Sequence, residues 1–331
     1  MRKILLPLLP LLLLIIPETP AYAQPQRLMA FGFYYAPPPM EAGRAAPVYQ
    51  GLAVSSDRGV TWSNRGWVTS GVSGVAMLSD GAERVMFLAS DYGVLRSSDE
   101  GLSWRLLTDW DMPTVTDVAI RDGAIWIATA RGVYVSTDRG ERWVEKGRLL
   151  PGTNAGYVNG ITITAREIFL ATADGLFRSS DRGSTWIRSG LEGKDVFRII
   201  SHPAIPTTFA AISQTEGVWI STDGGWNWES RNSGLRSTMV KCISFSPHER
   251  DVILVGTRDA GIFRSTSLGR QWEIAGGGLT NFNITALAFD PDSPDRVYAG
   301  SENGSFVSNA RGRSWQPFSV RLGYISTILI Q

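Results

Sequence analysis

Two carboxyl groups facing each other across a cleft, about 5 to 10 Å apart, can hydrolyse a glycosidic bond, one as acid and the other as nucleophile or base. The chain offers acids of this kind beside flat rings: Asp91 precedes Tyr92, and Asp109 and Asp111 flank Trp110. Asp91 with Asp109 or Asp111 would make the catalytic pair, with Tyr92 and Trp110 stacking on a sugar. Other chemistries find less support. His202 in Ser-His-Pro and His248 in Pro-His-Glu are the two histidines, and neither has a partner at metal-ligand or triad spacing. No glycine loop has the pattern that cradles phosphate, so no metal and no cofactor is expected. Cys242, the single cysteine, sits in Val240-Lys241-Cys242-Ile243; this context suits an inert buried thiol better than a nucleophile, and one cysteine forms no intramolecular disulfide.

The ends of the chain bear on where it works. Arg2 and Lys3, the apolar run 4–16 and Ala21-Tyr22-Ala23 follow the order of a cleavable signal peptide. The apolar run is shorter than the roughly 20 residues of a spanning helix and is broken by Pro7 and Pro10. Residues 1–23 are therefore expected to be removed, leaving 24–331 as one domain, exported to a periplasm or secreted. Losing Arg2, Lys3 and Glu18 from 32 basic and 31 acidic residues leaves 30 of each. That balance gives no reason to expect affinity for nucleic acid or an anionic membrane.

The elements that must position the candidate groups emerge from a repeat. Trp62, Trp104, Trp143, Trp186, Trp228, Trp272 and Trp315 follow one another at intervals of 42, 39, 43, 42, 44 and 43 residues. Each closes a related segment, from Ser-Ser-Asp-Arg-Gly-Val-Thr-Trp at Trp62 to Ser-Thr-Asp-Gly-Gly-Trp-Asn-Trp at Trp228. Asp57, Asp99, Asp138, Asp181 and Asp223 hold the third position, and Ser267 and Ala310 replace Asp in the last two copies. The segment is a turn by its chemistry. A carboxylate can accept backbone N–H groups ahead of it, Gly can take positive φ, and Trp offers a large apolar plate on the returning strand. Those aspartates are turn residues before they are catalysts.

The segment resembles the Asp-box (BNR) repeat of sialidases, xyloglucanases, the sortilin ectodomain and photosystem II assembly-factor propellers, and the resemblance covers nearly all of 24–331. It implies an all-β, seven-bladed β-propeller with four strands per blade. One unit shows the strand-length runs 114–121, 124–130, 132–137 and 142–146. Inner strands are predicted around Val75-Ala76-Met77, Val118-Ala119-Ile120, Ile161-Thr162-Ile163, Ile199-Ile200, Ile243-Ser244-Phe245 and Leu287-Ala288-Phe289. These are six for seven boxes. The C-terminal segment 325–330 is predicted to supply the seventh, closing the first blade formed by 28–35, 51–56 and 61–65 and pairing an edge otherwise left open.

Boxes join third strands to fourth, so they lie opposite the turns from second to third strands and the loops between blades. That opposite face is the candidate ligand face. Its second-to-third turns carry Asp91, Tyr92, Arg131, Asp174, Glu216, Arg258, Asp259 and Glu302; the loops between blades carry Trp67, Asp109, Trp110, Asp111, Tyr157, Phe197 and Tyr324. The segment 36–47, with Pro37-Pro38-Pro39 and Pro47, is stiffened by its prolines and reads as a wall of this face or as a surface insertion.

Relatives of this kind do unrelated things, so the fold leaves function open. The Arg-Ile-Pro motif that a sialidase places ahead of its first box is absent. Xyloglucanases generally set two propellers across a groove, and this chain has room for one. The reading is an exported, non-catalytic, monomeric propeller that binds a protein or glycan partner through the face opposite the boxes. The alternatives are a glycoside hydrolase and a protein similar to the photosystem II assembly factors.

Overall fold

The computed structural model describes residues 29–35, 49–65, 71–80, 83–108, 112, 114–146, 156–318 and 323–330. Within them, seven four-stranded antiparallel sheets stand around a central channel as the blades of a propeller. Blade 3 shows the pattern: Val115–Arg121 lines the channel, Ala124–Thr129 and Gly132–Ser136 follow outward, and Val144–Glu145 forms the rim. The other inner strands, from blade 2 to blade 7, are Val72–Asp80, Val158–Ile163, Val196–Ser201, Val240–Phe245 and Ile284–Phe289. Every predicted inner strand falls inside one of these.

The ring closes as the sequence predicts. The C-terminal strand Tyr324–Ile330 pairs with Met29–Tyr35, setting Met29 opposite Ile330 and Ala30 opposite Leu329. Blade 1 thus draws its inner strand from the end of the chain and its other strands from the beginning.

Burial explains the sequence patterns. Second strands such as Ile168–Thr172, Phe209–Ser213 and Ile253–Thr257 are buried at every residue, because a neighbouring blade covers each face of the sheet. They read as continuous apolar runs and not as alternation. Between blades 6 and 7, Leu254, Ile284, Ala299, Phe306 and Trp315 pack into one cluster; each large apolar side chain so buried contributes about 1.5–3 kcal/mol. The rim strands are shorter than predicted. Ser63–Asn64 and Val144–Glu145 replace the expected 61–65 and 142–146, because the box turn holds the chain until just before the tryptophan and a rim strand has a partner on one side only.

In each box the serine is the hub. Ser55, Ser97, Ser136, Ser179, Ser221, Ser265 and Ser308 are all buried, and each accepts the amide of the box glycine, as Ser55 Oγ does from Gly59 at 2.7 Å. In five boxes the same hydroxyl donates to the aspartate, at 2.7 to 2.8 Å. The aspartate in turn accepts the amide four residues on. In the sixth box Ser267 Oγ takes the place of the carboxylate and accepts the amide of Gln271 at 3.2 Å; in the seventh, with Ala310, Ser308 Oγ holds the turn through the amides of Ala310 and Gly312.

Most of the box tryptophans clasp neighbouring blades together. The indole Nε1 of Trp272 donates to Arg231 O at 2.8 Å and that of Trp315 to Ala275 O at 2.7 Å, each reaching the preceding blade. Trp104, Trp186 and Trp228 do the same. His202 and His248 are staples of another kind. Their Nε2 atoms bond to the carbonyls of Arg250 and Asp290 on the next blade, at 2.7 and 2.8 Å.

Candidate functional site

The channel mouth is built from one device repeated seven times. At the second or third residue of every inner strand the pairing slips by one position: Ser73, Thr116, Asn159, Phe197, Lys241, Thr285 and Ser326 are the extra residues. A β-bulge re-aims its side chain, and all seven of these line a cavity of ≈ 420 Å³ at the mouth. The cavity opens on the face opposite the boxes, since Asp91 and Gln214 from second-to-third turns also line it.

Most bulge residues hold the ring together. Ser73 Oγ donates to Val115 O at 2.9 Å, Thr116 Oγ1 to Val158 O, Asn159 Nδ2 to Val196 O at 2.9 Å and Thr285 Oγ1 to Ile325 O. Each bond ties one blade to the next. The series stops at blades 5 and 6, where Phe197 has no polar atom to offer and Lys241 Nζ turns instead to Gln214 Oε1 at 3.3 Å. Ser326 Oγ on blade 1 is buried without a hydrogen-bond partner.

The residues that follow the bulges form a second ring of Gly74, Asp117, Gly160, Arg198, Cys242, Ala286 and Thr327. It is mostly small. Asp117 Oδ1 accepts the amide of Val118 at 2.9 Å and Oδ2 that of Ile161 on blade 4 at 3.1 Å. Burial pushes its carboxyl above the usual range, with the Arg198 charge opposing. Gly74 and Gly160 make the space: a Cβ on Gly74 would lie 2.9 Å from Asp117 Oδ1. The Cys242 thiol is pushed up to about 12 by burial, which leaves it unreactive at neutral pH.

The candidate residues scatter over the face. Asp91 and Tyr157 line the cavity, together with Phe197 and Tyr324. Tyr92 is exposed, as are Arg131, Arg258, Asp259 and Glu302, and none of these reaches the cavity lining. Asp174 is ion-paired with Arg188 at 2.7 Å, and that contact holds its carboxyl below the usual range. Glu216 is ion-paired with Lys194. Trp67, Asp109, Trp110, Asp111, the segment 36–47 and residues 1–23 lie outside the described residues.

Arg198, Lys241 and Gln214 were missed as site residues. A signal was present: the first apolar residue of each inner strand is followed by Ser, Thr or Asn in five blades and by Phe or Lys in two. The exceptions mark the specialised sector.

Fold and channel define a seven-bladed β-propeller with a ligand-sized opening on one face. No family model matches the chain, and no curated protein is similar to it in sequence. Solved structures are similar in fold. A GH74 enzyme from Niastella koreensis superposes with a TM-score of 0.60 at 18% identity, over 75% of this chain and 45% of the enzyme. YCF48 bound to D1 peptide superposes with a TM-score of 0.58 at 17% identity, over 85% of this chain and 86% of YCF48. The extracellular domain of BT4673 from B. thetaiotaomicron gives 0.62 at 18% identity, over 80% of this chain and 36% of that domain. The chain thus spans less than half of the GH74 enzyme's length.

Proposed function

We propose that this chain is an exported, non-catalytic propeller that binds a protein or glycan partner at the channel mouth, on the face opposite the boxes. The observation that carries this reading is how the acids of that face are employed. Asp174 and Glu216 are bound by Arg188 and Lys194, and Asp117 is committed to two backbone amides. Among the described residues Asp91 is the single carboxylate in the cavity lining, whereas glycoside hydrolysis uses two. Neutral hydroxyls, two amides, aromatic rings and two cations make up much of the rest, a lining suited to recognition. The peptide held by YCF48 supports a protein partner over a glycan.

The experiment pairs two assays on the chain from residue 24. It is incubated with xyloglucan and other oligosaccharides, and separately used to capture partners from the envelope of its source. Specific capture with no release of reducing ends supports the reading. Reducing-end release that disappears in Asp91→Asn contradicts it.

A further inference from the structure

The break in the hydrogen-bonded ring has a chemical meaning. In five blades the bulge residue is Ser, Thr or Asn; in blades 5 and 6 it is Phe197 and Lys241, and the residue after Phe197 is Arg198, where the other blades place Gly, Ala, Cys, Thr or Asp. One sector of the channel therefore carries two cations and an aromatic plate where the fold needs only a small donor.

Among the described residues Arg198 meets the protein through its charge, on Asp117 and Cys242. It is half-buried in the cavity lining, and among the described residues its guanidinium makes no hydrogen bond or ion pair. The acid whose field it shares, Asp117, spends its oxygens on the amides of Val118 and Ile161. Lys241 Nζ has one long bond to a neutral amide. Two half-buried cations in one cavity, five N–H donors on one of them in a fixed fork, and Phe197, Leu287 and Ile328 in the same lining match a carboxylate on a compact apolar body. At ≈ 420 Å³ the cavity suits a small molecule.

We propose that the channel mouth is a receptor site for a small organic monocarboxylic acid, with Arg198 and Lys241 holding the carboxylate and Phe197 packing on the apolar body. The proposal rests on the reading of this face as the ligand face and adds a small-molecule ligand within the channel to the larger partner docked on that face. Asp91 at the rim then repels di- and tricarboxylates and sets the preference for a single negative charge.

Isothermal titration calorimetry on the chain from residue 24 tests this with phenylacetate, phenylacetamide and inorganic phosphate. Phenylacetate should bind at one saturable site and raise the melting temperature; phenylacetamide and phosphate should bind at least tenfold more weakly. Arg198→Gln and Lys241→Gln should each weaken phenylacetate tenfold or more, and Lys241→Gln decides the matter if Arg198→Gln does not fold. No saturable heat with phenylacetate, equal binding of phenylacetamide or phosphate, or undiminished affinity in the variants would overturn the proposal. Partner capture is scored separately, so the acid site can fail while the binding face stands.

Discussion

Asp117 on blade 3 accepts the amide of Ile161 on blade 4 across a distance of 3.1 Å, passing over the bare backbone of Gly160. A carboxylate at the heart of a channel looks like a catalyst, yet this one works as a staple between blades. Removing it in Asp117→Ala strands the Ile161 amide and should cost about 1–3 kcal/mol in urea unfolding. Gly74→Ala, which pushes a methyl against the same carboxyl, should also destabilise the fold, and by less once Asp117 is already alanine. Additive effects would argue against the staple.

The indole clasp predicts a contrast between two tryptophans. Trp272→Phe leaves the Arg231 carbonyl without its donor and should lower stability by about 1–3 kcal/mol beyond the loss of packing. Trp143 Nε1 is buried without a hydrogen-bond partner, so Trp143→Phe should cost distinctly less. Equal losses in chemical denaturation would show that the clasp contributes nothing.

The architecture could be read from the sequence because the box carries its own geometry. A serine, a glycine at positive φ such as Gly59 at 84°, and a tryptophan returning seven residues after the serine leave the chain little choice of turn. Seven copies then count the blades. The closure by 325–330 followed from one missing inner strand. The channel site was harder to see, since its shape depends on seven bulges, each one residue out of step with its partner strand, that alternation within a single strand does not reveal. Sequence reasoning therefore favours turn residues such as Arg131, Arg258 and Glu302, which the structure places in solvent, over Arg198 and Lys241, which look like ordinary strand positions.

Acid should unpick the boxes in a defined window. The hydroxyl and amide of Thr61, of Ser103 and of Thr185 hold Asp57, Asp99 and Asp181 down at about 2 from 3.8, and chiefly the Asn227 amide does so for Asp223. A carboxyl depressed on folding contributes stability above its unfolded value, and the contribution is lost as pH falls through the folded value. The melting temperature should therefore decline between pH 3.8 and about 2. A variant with all four replaced by Asn should decline less over that range; parallel curves would show that other groups govern acid unfolding.

Closure of blade 1 makes the C-terminus a structural necessity. Truncation before Ile325 removes the strand paired with Met29–Tyr35 and exposes the inner edge of the blade. The melting temperature should fall sharply, and an unchanged melt would show that the ring does not depend on this strand.

The central claim, that the face opposite the boxes binds the partner, is tested most directly by mapping capture to one face. Tyr157→Ala with Tyr324→Ala alters the cavity mouth, while Trp226→Ala alters an exposed box-turn ring stacked 3.5 Å from Arg178 on the other face. Affinity for the captured partner, measured by surface plasmon resonance, should drop at least tenfold in the double tyrosine variant and hold in Trp226→Ala. Loss in Trp226→Ala with full retention in the tyrosine variant would place the function on the box face and contradict the account.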